Sequence, residues 1–105
     1  MAFDGSEGEQ ITLTKASGYT KSWRENYSSL KKGIFIGRDK INDILNQADC
    51  KGIRIYFGID DNSDNCVVLV GAEANENDME NGIIINKGDK CPPICGIDND
   101  LNSDT

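Results

Sequence analysis

Four cysteines and two runs of alternating Asp and Asn are the residues of this chain best suited, by type and spacing, to chemistry. Cys91 and Cys95 are separated by Pro92, Pro93 and Ile94. Two prolines stiffen so short a loop and hold the sulfurs close, so Cys91 and Cys95 are expected to form a disulfide or a pair of neighbouring thiols. The bridge requires an oxidising compartment and, closing only a small loop, stabilises less than a long-range one. Two other readings stay open. In a reduced protein Cys50 and Cys66 pack as small hydrophobes. A four-cysteine zinc site would need the Cys91-x₃-Cys95 spacing, one residue wider than the common knuckle, and Cys50 and Cys66 are not paired in sequence. The acidic runs are Asp60-x-Asn62-x-Asp64 and Asp98-x-Asp100-x-Asn102-x-Asp104. They set oxygen ligands at alternate positions, as calcium loops do. Asn65 and Ser103 stand where such loops carry glycine, and the closing glutamate is missing. The plainer reading is that Asp and Asn here make turns, with calcium as the alternative.

Nucleophilic and acid–base chemistry finds little support. There is no histidine, which removes Ser-His and Cys-His catalysis and histidine metal ligation. No carboxylate pair stands out among eighteen acids. Gly33-x₃-Gly37-Arg38-Asp39 opens a helix but lacks the Lys-Ser/Thr of a phosphate loop, so Arg38 reads as a surface or ion-pairing residue. The cysteine spacing also lacks the setting of a dithiol redox motif.

The formal net charge is −7 over 105 residues, and it is unevenly spread. Residues 1–14 carry −3, residues 15–54 carry +5, and residues 55–105 carry −9. An acidic chain lacks the footprint of a nucleic-acid binder. A basic middle between acidic ends suits contact between copies of the chain, or else is a solubilising surface. The longest apolar runs, Val67–Val70 and Ile83–Ile85, are far too short to span a bilayer, so no membrane insertion is expected. The start has neither a basic nor an apolar signal region, which makes the cytoplasm the default expectation, export by another route remaining open.

The elements that must position these residues follow from periodicity. Residues 1–10 read as a polar tail. Leu13, Ala16, Thr20, Trp23 and Tyr27 form one stripe and predict a helix over Ile11–Tyr27, capped by Thr12 or Thr14, with Trp23 and Tyr27 in the core. Gly33–Gly37 predicts a short strand, and Arg38–Gln47 a second helix capped by Asp39 with Ile41, Ile44 and Leu45 inward. Ile53, Ile55, Phe57 and Ile59 alternate with Arg54, Tyr56 and Gly58, then a turn leads to the apolar strand Cys66–Ala74. This hairpin is expected to hold the core, with Ile53, Ile55, Phe57, Ile59, Val68 and Val70 buried. Gly82–Asn86 predicts a third strand, and 87–105 an irregular arm. The expected fold is a single α+β domain: two N-terminal helices packed on a small antiparallel sheet, with 11–86 as its core.

Gly37-Arg38-Asp39, Cys50-x-Gly52-Ile53-Arg54-Ile55-Tyr56, Val68-Leu69-Val70-Gly71-Ala72 and Cys91-Pro92-Pro93-Ile94-Cys95-Gly96 follow one another in order. In this combination the chain resembles a group of short uncharacterised Bacteroidetes proteins over about residues 11–102. The resemblance implies a compact unit ending in a Cys-Pro-Pro-x-Cys arm and carries no activity, catalytic residue or ligand. The functional expectation is a non-enzymatic structural or interaction protein whose terminal arms hold copies of itself together, with Phe3, Ile11 and Ile94 as anchors. A monomeric binding module or a small metal-binding protein is the alternative.

Overall fold

The computed structural model describes residues 2–103. In chain order the elements are α1 (Leu13–Asn26), β1 (Gly33–Phe35), α2 (Arg38–Leu45), β2 (Gly52–Ile59), β3 (Asn65–Ala72), β4 (Ile84–Ile85) and β5 (Asp89–Cys91). The class is α+β, as expected, and the antiparallel pairing is divided between a three-stranded sheet, β2-β3-β4, and a two-stranded one, β1-β5. No helix among the described residues is long and apolar enough to cross a membrane. The chain forms two compact units, one from the segment up to Gly8 with Ile36–Gly88, the other from Glu9–Phe35 with the chain from Asp89 on.

The first unit holds the buried core. β2 and β3 pair without interruption from Gly52↔Ala72 to Ile59↔Asn65. Their turn is closed by the Asp60 carboxylate, whose Oδ1 accepts from the N–H groups of Asn62 and Asp64, and by Ser63 at a positive φ of 62°. Among the described residues the buried apolar side chains are Ile44 of α2 and Leu69, Val70 and Ala72 of β3. The core is therefore at β3, the central strand, and β2 is an edge.

The expected burial of β2 is corrected accordingly. Val70 is buried and Ile53 and Val68 are half-buried, but Ile55, Phe57 and Ile59 are exposed. Their alternation is present; a cover is not. α2, which packs on β2 and β3, is eight residues long and spans about 12 Å, whereas an eight-residue strand runs about 27 Å. Two smaller expectations also shift. Gly37, not Asp39, caps α2, without a side-chain bond, and Leu45 is exposed. The third strand shrinks to Ile84–Ile85.

In the second unit Thr12 caps α1, its Oγ1 accepting from the Lys15 N–H at 3.2 Å. The apolar stripe forms, but α1 has no buried residue. Trp23 and Tyr27 stack with ring centroids 4.5 Å apart and remain partly in solvent, which corrects their expected place in the core. The Trp23 indole N–H donates to the Lys31 carbonyl, fixing the turn after the helix. β1 pairs with β5 from Gly33↔Cys91 to Phe35↔Asp89. β5 is a strand that alternation does not announce, since Asp89-Lys90-Cys91 is too short to show a period and meets β1 through backbone pairing.

Candidate functional site

Arg54 and Tyr56 lie two apart on β2 and so share one face of it, opposite to Ile55 and Phe57. The chain after β3 makes a tight loop in which the Glu76 N–H donates to the Glu73 carbonyl, the Glu73 N–H to the Asn77 carbonyl, and Glu76 takes a φ of 74°. This loop returns Asp78 to a bridge with Ala72. There Arg54 Nη1 donates to Asp78 Oδ1 at 2.5 Å and to the Glu76 carbonyl at 3.0 Å, and the Tyr56 hydroxyl donates to Asp78 Oδ2 at 2.5 Å. Both oxygens of the carboxylate are thus engaged.

The N-terminal segment completes the cluster. Its own acids shape it: Asp4 Oδ1 accepts from the N–H and hydroxyl of Ser6, and the Glu7 carboxylate accepts from the N–H groups of Asp4 and Gly5. Gly5 sits at φ 96°, a region costly to a side chain. The Phe3 N–H donates to the Ala74 carbonyl at 2.8 Å, and the Arg54 guanidinium stands 5.3 Å from the centre of the Phe3 ring, a cation–π distance. Phe3, Glu7, Lys51, Arg54 and Ile55 are among the residues lining an open cleft of about 380 Å³ beside this contact.

The electrostatics describe a clamp. The hydrogen bond from Tyr56, and then the one from Arg54, hold the Asp78 carboxyl below the usual carboxylate range against the opposing effect of desolvation. The hydrogen bond to Asp78 raises the Tyr56 hydroxyl and the Arg54 guanidinium above their ordinary values. Ser6 donation lowers Asp4 in the same way. With both carboxylate oxygens engaged and the phenol held protonated, the arrangement holds the loop and the N-terminal segment on β2.

This clamp has a pH signature. Because folding lowers the Asp78 pKa, its stabilising contribution is full above the unfolded value and is lost as pH falls through the lowered folded one. Tyr56 acts in the opposite sense: its contribution is present below about pH 10 and is lost as pH rises through the raised folded value. Melting curves across acid pH should show a steeper loss for the wild type than for Asp78→Asn. Parallel curves would remove the clamp from the stability of the fold.

The structure scatters the other sequence candidates. Cys91 and Cys95 are joined in a disulfide, while Cys50 and Cys66 are free and half-buried, with the Cys50 thiol donating to the Gly52 carbonyl. Alkylation of the denatured, unreduced chain should label Cys50 and Cys66 only. Four labels, or a Cys50–Cys91 link, would contradict this pairing. Asp60 serves its own turn, with Asn62 and Asp64 as backbone donors to it. In the second run Asn102 Oδ1 accepts from the Asn99 N–H, and Asp98 and Asp100 are exposed. Among the described residues no group of three or more His, Cys, Asp or Glu gathers as metal ligands, and Asp104 lies outside them. Arg38, Ile11 and Ile94 are exposed, Ile11 and Ile94 belong to the second unit, and Phe3 is part of the clamp. Arg54 and Asp78 were not site candidates on sequence. The Arg-x-Tyr pair on one strand face was a signal, but only the folded loop shows which of eighteen acids answers it. The chain matches no family model, no curated protein and no solved structure.

Proposed function

We propose that this is a non-enzymatic interaction protein whose terminal arms seat on copies of itself. The observation that carries the reading is where the two acidic ends lie. The N-terminal arm rests on Arg54 through Phe3, in a cleft that Lys51 also lines, and in the second unit the C-terminal arm is held by Arg24 and Lys32, which donate to the carbonyls of Leu101 and Asn102. Each seat joins an acidic end to the basic middle segment. Each is made of contacts that a neighbouring copy could supply equally well, since exchange of an identical element needs no new chemistry. Residues 9–12, which lead away from the N-terminal seat, are exposed and follow Gly8 at φ 104°, so a change of direction there costs little.

Light scattering after size-exclusion chromatography tests it. Phe3→Ala, deletion of residues 1–10 and deletion of 97–105 should each lower the size of the assembly, and added salt should do the same. Sizes unchanged by all of these would overturn arm exchange. The open cleft favours a second reading, a monomeric module that takes a small ligand with an apolar body and a charged end. A monomer at every salt concentration would favour that module. For the compartment, the Cys91–Cys95 disulfide supports an oxidising environment over the cytoplasmic default.

A further inference from the structure

β2 is an edge strand whose outward row is apolar. Ile55 is 53% exposed, Phe57 90% and Ile59 75%, and as residues i, i+2 and i+4 they stand on one face. Soluble proteins guard such edges with lysine, proline, bulges or a short strand. From Ile55 to Ile59 β2 has no charge and no proline, and its pairing with β3 runs eight residues without a bulge. Arg54, the nearest charge, is turned to the opposite face, toward Asp78. Taking roughly 200 Å² for a fully exposed large apolar side chain, the row leaves about 400 Å² in solvent, at the upper end of what a monomer shows.

We propose that two copies join here, β2 against β2, antiparallel across a two-fold axis through Phe57. A two-fold contact requires a surface complementary to itself, and this strand meets the condition. In that register Phe57 faces Phe57, Ile55 faces Ile59, and Arg54 of each copy falls opposite Asp60 of the other, so the ends carry opposite charges. Side by side in one sheet the two rows cover each other's flanks while their outer faces stay in solvent, so the contact is a weak, reversible one held chiefly by the paired backbones. The three-stranded sheet becomes six-stranded, and its longest edge is closed. The contact takes in Arg54, which also seats the N-terminal arm, but it does not rest on arm exchange. With arm exchange it gives each copy two kinds of contact, which is the requirement for growth beyond a dimer.

Sedimentation and light scattering of the full-length chain, from micromolar to millimolar concentration, provide the test. Phe3→Ala is the background that weakens the arm seat. In that background a concentration-dependent dimer is expected, and adding Phe57→Glu, which sets two carboxylates together on the axis, should weaken it by about tenfold or more. Ile59→Glu should do the same from a flanking position. The Phe57→Glu chain should melt as the wild type does, since the side chain lies in solvent. A Phe3→Ala chain that stays monomeric throughout overturns the β2 contact and leaves arm exchange standing. A dimer that survives both Phe57→Glu and Ile59→Glu also overturns it. A wild-type oligomer lost with Phe57→Glu but untouched by Phe3→Ala supports the β2 contact and counts against the arms.

Discussion

Ile44→Ala should lower the stability of the fold by ~2–5 kcal/mol and the melting temperature by roughly 10–30 °C. Among the described residues Ile44 is the one large side chain with no solvent exposure, and it lies on α2, which packs on β2 and β3. Removing its outer carbons leaves a cavity beneath a helix only eight residues long, with few other contacts to close over it. A domain of this size has a net stability of about 5–15 kcal/mol, so the loss approaches unfolding. The contrast lies on β2. Phe57 is a larger side chain in a more regular alternation, yet Phe57→Ala should change stability by no more than about 0.5 kcal/mol, because the ring is already in water. Thermal melts of the two variants side by side decide the matter. A costly Phe57→Ala with a harmless Ile44→Ala would place the core on β2.

That contrast also shows what could be read from the residues alone. Alternation from Ile53 to Ile59 identifies a strand and its two faces because side chains on a strand repeat every two residues. It does not say which face is covered, since cover depends on the length and position of another element. The same limit applies to α1: the 3–4 spacing of Leu13, Trp23 and Tyr27 marks a stripe, and the helix forms, but the stripe is left without a buried residue. The turn at Asp60 was legible because its chemistry is local, one carboxylate and the two N–H groups that follow it. The same locality brought Cys91 and Cys95 into view. β5 was illegible for the opposite reason: its pairing to β1 joins residues more than fifty positions apart and uses backbone groups that every sequence carries. The clamp stood between these cases. Arg54 and Tyr56 were fixed on one face by alternation, while Asp78 reaches them only through the loop that Glu76 bends. Phe3 was expected to anchor an arm on a neighbouring copy, and in the fold its ring packs on its own chain. Its partner, the guanidinium of Arg54, came from the folded geometry.

Gly71→Val should cost ~3 kcal/mol or more, a loss with no counterpart in the hydrophobic pattern, which would favour valine in so apolar a strand. Gly71 is buried in β3 opposite Ile53. A Cβ added there would lie 2.9 Å from the Cys50 sulfur, 3.0 Å from the Met79 sulfur and 3.1 Å from Gln47 Nε2. Gln47 is pressed from the other side as well, for a Cβ on Gly82 would collide with its Oε1. The two glycines leave a slot for this amide, which accepts from the Ile83 N–H at 2.8 Å and donates to the Ile44 carbonyl at 3.0 Å. It thereby ties the end of α2 to the entry of β4. Filling the slot from the sheet side displaces the amide or the two sulfurs, and each is itself half-buried. The milder Gly71→Ala isolates the cause. Because the Cys50 sulfur is the nearest obstacle, Gly71→Ala should cost less in a Cys50→Ala background than alone, a coupling of about 0.5 kcal/mol or more between neighbours. Denaturant midpoints for the four chains of that cycle supply the measurement. Strict additivity would mean that the glycine serves the strand's backbone and that close packing against α2 is not its reason.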